Sequence, residues 1–204
     1  MSLGASVTFG TGSTTGNSYR KNLQDLLVAQ GMTVSYVGTR ANGNFPDNAV
    51  EATGGFKINQ IAAAADAAVP MLKPNLVLVD AGTNNCNKGG EVPDAGANVT
   101  AMINKIYEQS PGSTVILTTI LSNKIPEQDA CRVKINEQYA AIATQFQQSG
   151  AKFALVDMRS PDAPTLDDLA DTRHPNDGGY VKMANVWIKG VQDVISKGFI
   201  TAPN

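Results

Sequence analysis

The sequence predicts an α/β protein, a three-layer α/β/α sandwich around a five-stranded parallel sheet of flavodoxin-like type. Three observations predict it. Five short apolar runs are separated by stretches with helical apolar spacing, the alternation that builds a layered α/β fold with right-handed crossovers. The runs are continuously apolar rather than alternating, as strands buried on both faces of a parallel sheet require. No repeat, low-complexity linker or composition shift divides the 204 residues, so residues 1–204 are read as a single domain.

The strands are expected at Met1 to Gly4, "TVSYVG" from Thr33, "NLVLVDAG" from Asn75, "TVILTTIL" from Thr114 and "KFALVDM" from Lys152. Between them, "SYRKNLQDLLVAQG" sets Tyr19, Leu23, Leu26 and Leu27 on one helical face and stops at Gly31. "INQIAAAADAAVPML" is an alanine-rich helix reaching Pro70. "AGANVTAMINKIYEQSPG" carries Val99, Met102, Ile103 and Ile106 before Pro111-Gly112. "VKINEQYAAIATQFQQSG" ends at Gly150, and "GYVKMANVWIKGVQDVISKG" is the last helix, with "FITAPN" read as the start of a linker.

Composition narrows the partners. Charged residues are 17% of the chain, the net charge is −2 and the Lys and Arg are scattered, which argues against nucleic acid or an anionic membrane. No apolar run approaches the length of a membrane span. The sequence starts almost inside the first strand, as expected of a mature chain whose leader has been removed, so a missing leader says little about the compartment. The many Ser, Thr, Asn and Gly residues and an N-glycan acceptor pattern at Asn98-Val99-Thr100 lead us to expect a secreted chain, and a monomer. The two cysteines, Cys86 and Cys131, fit either one bridge or two buried thiols. No ligand cluster has zinc spacing, so neither metal nor cofactor is expected.

In an open α/β sheet, ligands bind outside the carboxyl ends of the strands, which limits the search to five loops. The first holds Gly4-Ala5-Ser6. The fifth holds "LADTRHPNDGGY", with Asp171 three residues before His174, the only histidine. A serine hydroxyl becomes nucleophilic when a neutral imidazole takes its proton, and a carboxylate holds that imidazole in the useful tautomer. Asn84, after a Gly-Thr turn, offers a side-chain amide to a developing oxyanion. Gly54-Gly55 in "ATGGFKI" can aim a backbone N–H at a neighbouring loop. Each element also has a plainer reading: a turn serine, a surface pair beside a helix cap at Asn176 and Asp177, an Asx-turn, a flexible turn. The parts of an acyl-transfer site converge at the strands' carboxyl ends, and no other loop offers a rival set.

These residues resemble the four blocks of the SGNH hydrolases, the GDSL-type esterases, in order over nearly the whole chain. "LGASVTFG", "TGGFKI", "GTNN" and "DTRHPN" match the blocks, and "GNSYRKNLQDLL" with "HPNDGGYVKMANVW" is most similar to the family 3 carbohydrate esterases, the acetylxylan esterases. The resemblance implies Ser6, Asp171 and His174 as catalytic residues. It implies an oxyanion hole of the Ser6 and Gly55 N–H groups and the Asn84 amide, with no metal or cofactor. The substrate implied is a small ester or acetylated polysaccharide, cleaved through an acyl-enzyme. The family usually has Asp where Ala5 and Asn85 stand. Neither position supplies the nucleophile, base or side-chain donor, so activity is expected to survive. The second block also lacks the histidine and tryptophan often found there. If Cys86 and Cys131 are bridged, two loops at one end of the sheet are tied together. Three alternatives remain: a general short-chain carboxylesterase or lipase, a flavodoxin-like protein cradling phosphate on "GTGSTTG" (Gly10 to Gly16), and a non-catalytic carbohydrate-binding module.

Overall fold

Strands β1 (Ser2–Gly4), β4 (Leu76–Asp80) and β5 (Thr114–Thr118) are buried almost throughout, and their side chains divide between two cores. Leu3, Val77, Val79, Val115 and Leu117 point to one side, and Leu78 and Ile116 to the other, as the strand period of two dictates. The computed structural model describes residues 1–87 and 93–202. With β2 (Arg40–Ala41), β3 (Ala49–Ala52) and β6 (Phe153–Val156), the strands form one six-stranded sheet ordered β2-β3-β1-β4-β5-β6. All neighbours are parallel except the β2–β3 pair.

Helices cover both faces. On one side lie α3 (Ile58–Leu72), α4 (Ala95–Gln109) and α5 (Pro126–Gln148), sharing a core that includes Ile61, Ile103, Ile135 and Tyr139. On the other lie α2 (Ser18–Ala29) and α6 (Asp177–Ser196), where Tyr19 packs on Trp187 with ring centroids 5.4 Å apart. A one-turn helix, α1 (Ser6–Phe9), follows β1 directly. Pro70 stands inside the last turn of α3, where it cannot donate to Asp66 O; Gln109 Nε2 donates to that carbonyl instead, at 3.3 Å. Asn98 lies exposed within α4 rather than in a loop.

The three-layer architecture is as expected, with three corrections. "TVSYVG" is not a strand. The Tyr36 N–H is taken by Asp47 Oδ2 and the Thr39 N–H by Glu51 Oε2, both at 2.8 Å, so side-chain carboxylates replace a ladder. The second parallel strand is β3 instead, and the two-residue β2 beside it adds a sixth, antiparallel edge strand. Helix α5 begins at Pro126, so Cys131 lies on a helix and not in a loop. The segment after α6 is no linker where described: Phe199 and Ile200 pack on the core and Thr114 Oγ1 donates to Phe199 O at 2.8 Å, while residues 203–204 lie outside the described residues. Among the described residues no helix is long and apolar enough to cross a membrane.

Candidate active site

Gly4 ends β1 at a place with no room for a side chain: a Cβ there would stand 2.4 Å from Thr8 Oγ1 and 2.7 Å from Asp80 O. That close approach lets the chain turn at once from the sheet into α1 and presents Ser6, 6% exposed, at the strand's carboxyl end. Ser6 Oγ lies 2.9 Å from His174 Nε2, and His174 Nδ1 lies 2.6 Å from Asp171 Oδ2. The other carboxylate oxygen, Asp171 Oδ1, accepts the N–H groups of Arg173 and His174, each at 2.8 Å. Burial works to raise the Asp171 pKa, but the His174 ring and these backbone donors outweigh it and hold it at about 2. An ionised Asp171 only accepts, so the proton sits on Nδ1 and Nε2 is left to receive the serine proton.

The loop carrying His174 is closed on itself and clamped from outside. Ala170 N–H donates to His174 O at 2.8 Å, and Asn176 caps α6 by accepting the Gly179 N–H at 2.9 Å. Asp177 reaches across to the "GTGSTTG" loop. Its carboxylate accepts from Ser13 Oγ at 2.9 Å, Thr14 N at 3.0 Å and Thr14 Oγ1 at 2.7 Å. The loop therefore does cradle an anion, but the anion is the chain's own carboxylate, which takes the donors a phosphate would need. From the first turn of α6, the Tyr180 hydroxyl donates to Thr11 O at 2.6 Å.

On the opposite side of Ser6, Thr53 to Phe56 form a tight turn closed by Phe56 N–H donating to Thr53 O at 3.3 Å. Gly55 has φ +83, the conformation a type II turn demands of its third residue. Neither Gly54 nor Gly55 N–H is held by another group among the described residues. The turn faces Ser6: a Cβ on Gly54 would lie 4.0 Å from the Ser6 Cβ. Asn84, 6% exposed, sits in the 3-10 turn Thr83–Cys86 after β4 and donates through Nδ2 to Phe56 O at 2.9 Å. The structure thus brings Ser6, His174 and Asp171 into one hydrogen-bonded line and ties Asn84 to the Gly54-Gly55 turn. Asn85, where the resemblance expects Asp, accepts the Ile58 N–H at 3.1 Å, so its amide oxygen supplies an acceptor for the first turn of α3. Ala5 is buried in the core.

Two partners of this cluster escape a reading by motif. Asn87 Nδ2 donates to Asn84 Oδ1 at 2.9 Å, and Arg173 Nη1 donates to Asn87 Oδ1 at 2.7 Å. The signal for Asn87 is its spacing, because residues three apart eclipse on a 3-10 helix. Cys86 is bonded to Cys131, with Cα atoms 5.7 Å apart, which joins this turn to the second turn of α5. No group of three or more His, Cys, Asp or Glu side chains suited to a metal ion occurs among the described residues.

Behind Ser6 lies a buried carboxyl. Asp80 is 3% exposed, and burial pushes its pKa up to about 6 against the pull of the Thr8 hydroxyl and the Arg132 charge. The Thr8 hydroxyl donates to Asp80 Oδ2 at 3.3 Å. Because the folded pKa exceeds the unfolded one, the fold holds this proton more tightly than the open chain does. The contribution is present at low pH and is lost as pH rises from about 4 through 6, a difference of about 3 kcal/mol. Asp80→Asn is expected to raise the thermal midpoint at pH 8 and leave it nearly unchanged at pH 4. Equal shifts at both pH values would show that Asp80 is not the titrating group.

Known proteins resemble this chain in sequence and fold. A sequence model of the GDSL-like lipase/acylhydrolase family matches residues 2–182. A multidomain esterase of Ruminococcus flavefaciens is 28% identical over 94% of this chain, which spans 28% of that relative's length. A family 3 carbohydrate esterase of Clostridium thermocellum superposes with TM-score 0.84 at 25% identity, covering 97% of this chain and 96% of its own. A family 3 carbohydrate esterase from Talaromyces cellulolyticus has the same fold, with TM-score 0.81, 24% identity, and coverage of 96% and 97%.

Proposed function

The chain belongs to the GDSL-like lipase/acylhydrolase family, and from that premise we propose that it is a serine esterase removing acetyl groups from acetylated carbohydrate. The observation that carries the reading is the Ser6–His174–Asp171 line. Ser6 Oγ attacks the ester carbonyl carbon as its proton passes to His174 Nε2. The negative charge arising on the carbonyl oxygen is held by the Ser6 and Gly55 N–H groups and the Asn84 amide, donors set before the reaction begins. The tetrahedral intermediate then expels the sugar oxygen, which takes the proton from His174, and acetyl-Ser6 remains. Water, deprotonated by His174, attacks that ester and releases acetate and the free serine.

The carbohydrate assignment draws its support from the structural relatives, and the expected secretion from the disulfide. Structures named as family 3 carbohydrate esterases superpose over nearly the whole chain. The Cys86–Cys131 bridge supports a secreted protein, since disulfides persist in oxidising compartments.

Initial rates on 4-nitrophenyl acetate, butyrate and octanoate, together with acetate release from acetylated xylan, test the reading. We expect acetate release from the polymer and a kcat/KM for the acetate ester at least about tenfold above that for octanoate, as discrimination against several extra methylenes gives. Equal rates along the series with no release from xylan would make the protein a general carboxylesterase.

A further inference from the structure

We propose that Asn87 and Arg173 are positioning residues that fix which way the Asn84 amide faces, and so set its strength as an oxyanion donor. The inference rests on the reading of Asn84 as such a donor. An amide has an accepting end and a donating end of nearly equal size, so packing alone sets its direction poorly. Here the direction is set by a chain of hydrogen bonds with only one consistent polarity. Arg173 can only donate, so Asn87 must turn its oxygen towards it, at 2.7 Å. That leaves the Asn87 NH₂ facing Asn84, which must present its own oxygen, at 2.9 Å. The Asn84 NH₂ is therefore on the side of the Gly54-Gly55 turn, where the Phe56 carbonyl, an obligate acceptor, takes one hydrogen at 2.9 Å. The second hydrogen has no protein partner among the described residues and is free for substrate. The chain begins at a cation, and successive hydrogen bonds polarise one another, so the guanidinium makes that last N–H more acidic than an isolated amide's.

Asn87 is itself held. Its carbonyl accepts from Gln128 Nε2 at 3.0 Å, and Gln128 Oε1 in turn accepts from Asn123 Nδ2 at 2.8 Å. The arrangement also couples the base's loop to the oxyanion turn, because Arg173 immediately precedes His174 while Asn87 closes the 3-10 turn that carries Asn84. A shift in the base's loop is thus transmitted to the oxyanion donor through two side chains.

The test is a double-mutant cycle on 4-nitrophenyl acetate. Asn87→Asp keeps an acceptor for Arg173 but confronts Asn84 Oδ1 with a carboxylate oxygen. It is expected to lower kcat by about 10–100-fold, approaching the loss of a whole donor, with KM within about twofold. In an Asn84→Ala background, itself down by about 10²-fold or more, the same change is expected to lower kcat less than about twofold further. Arg173→Met is expected to lower kcat severalfold, and Arg173→Lys, which still donates, to recover most of it. An equal loss from Asn87→Asp in both backgrounds would overturn the proposal while leaving Asn84 its role. Full activity in Asn84→Ala would overturn the oxyanion reading and the proposal together. A wild-type rate for Arg173→Met beside an impaired Asn87→Asp would remove Arg173 from the chain.

Discussion

Ser6→Ala is expected to lower kcat/KM for 4-nitrophenyl acetate by about 10⁴-fold or more while leaving the fold intact. The size follows from the geometry. With Ser6 Oγ gone, His174 Nε2 has no nucleophile at 2.9 Å, and the acyl-enzyme cannot form. What survives is the effect of the oxyanion donors on attack by water, which leaves a residual rate well above the uncatalysed one. The removed oxygen sits at the first residue of a one-turn helix and has His174 as its partner, so stability should change little. Hydrolysis by wild type and variant, measured side by side with thermal melts of both, settles the matter. A rapid initial burst of nitrophenol in the wild type alone would add direct support for acyl-Ser6. Equal turnover by both proteins would reduce Ser6 to a turn residue, and the four matching blocks would then mark a scaffold whose chemistry lies elsewhere.

Removing the Cys86–Cys131 bridge is expected to destabilise the protein by about 4 kcal/mol. The two cysteines are 45 positions apart, and in the chain-entropy account closing a loop of that length in the unfolded state accounts for this amount. For a chain of this size the loss corresponds to a fall of roughly 8–16 °C in the thermal midpoint. The paired change of Cys86 and Cys131 to Ala is the right comparison, since both sulfurs are in the core and serine would bury hydroxyls there. A midpoint within about 2 °C of the wild type would show that the open chain gains little freedom without the bridge. Activity should fall by less than stability, because Asn84 keeps its hydrogen bonds to Phe56 and Asn87.

The alternation of strands and helices was legible because the middles of β4 and β5, Val77 to Val79 and Val115 to Leu117, are buried on both faces and so are apolar at every step. The residues of the first three blocks were legible because each lies within a few residues of a strand's carboxyl end, whereas Asp171 and His174 stand 15 and 18 residues beyond Val156, after a 3-10 turn. "TVSYVG" misleads for a definite reason. It has the apolar and β-branched content of a strand, but Asp47, 11 residues on, captures the Tyr36 N–H, Glu51 captures that of Thr39 just past the segment, 12 residues on, and no local window contains that competition. The start of α5 was in principle readable, since Pro126 stands in the first turn with Glu127 and Asp129 beside it. Of the two capping residues the sequence offers, Asn176 is the cap, and Asp177 instead accepts from Ser13 and Thr14, 164 and 163 positions away. The partnership of Arg173 with Asn87 spans 86 positions, and only the folded chain shows it.

The hydrogen bond from Ser6 to His174 joins residues 168 positions apart. A ribosome releases Ser6 well before His174, 168 residues later, so the growing polypeptide carries a serine with no partner. The strand that presents Ser6 lies between β3 and β4, both of which are made after it. On the proposed mechanism, ester cleavage begins only when synthesis has passed the last block and the sheet has closed around the first. A premature stop before His174 is then expected to leave an inactive product, and the appearance of activity during cell-free translation would time the completion of the fold.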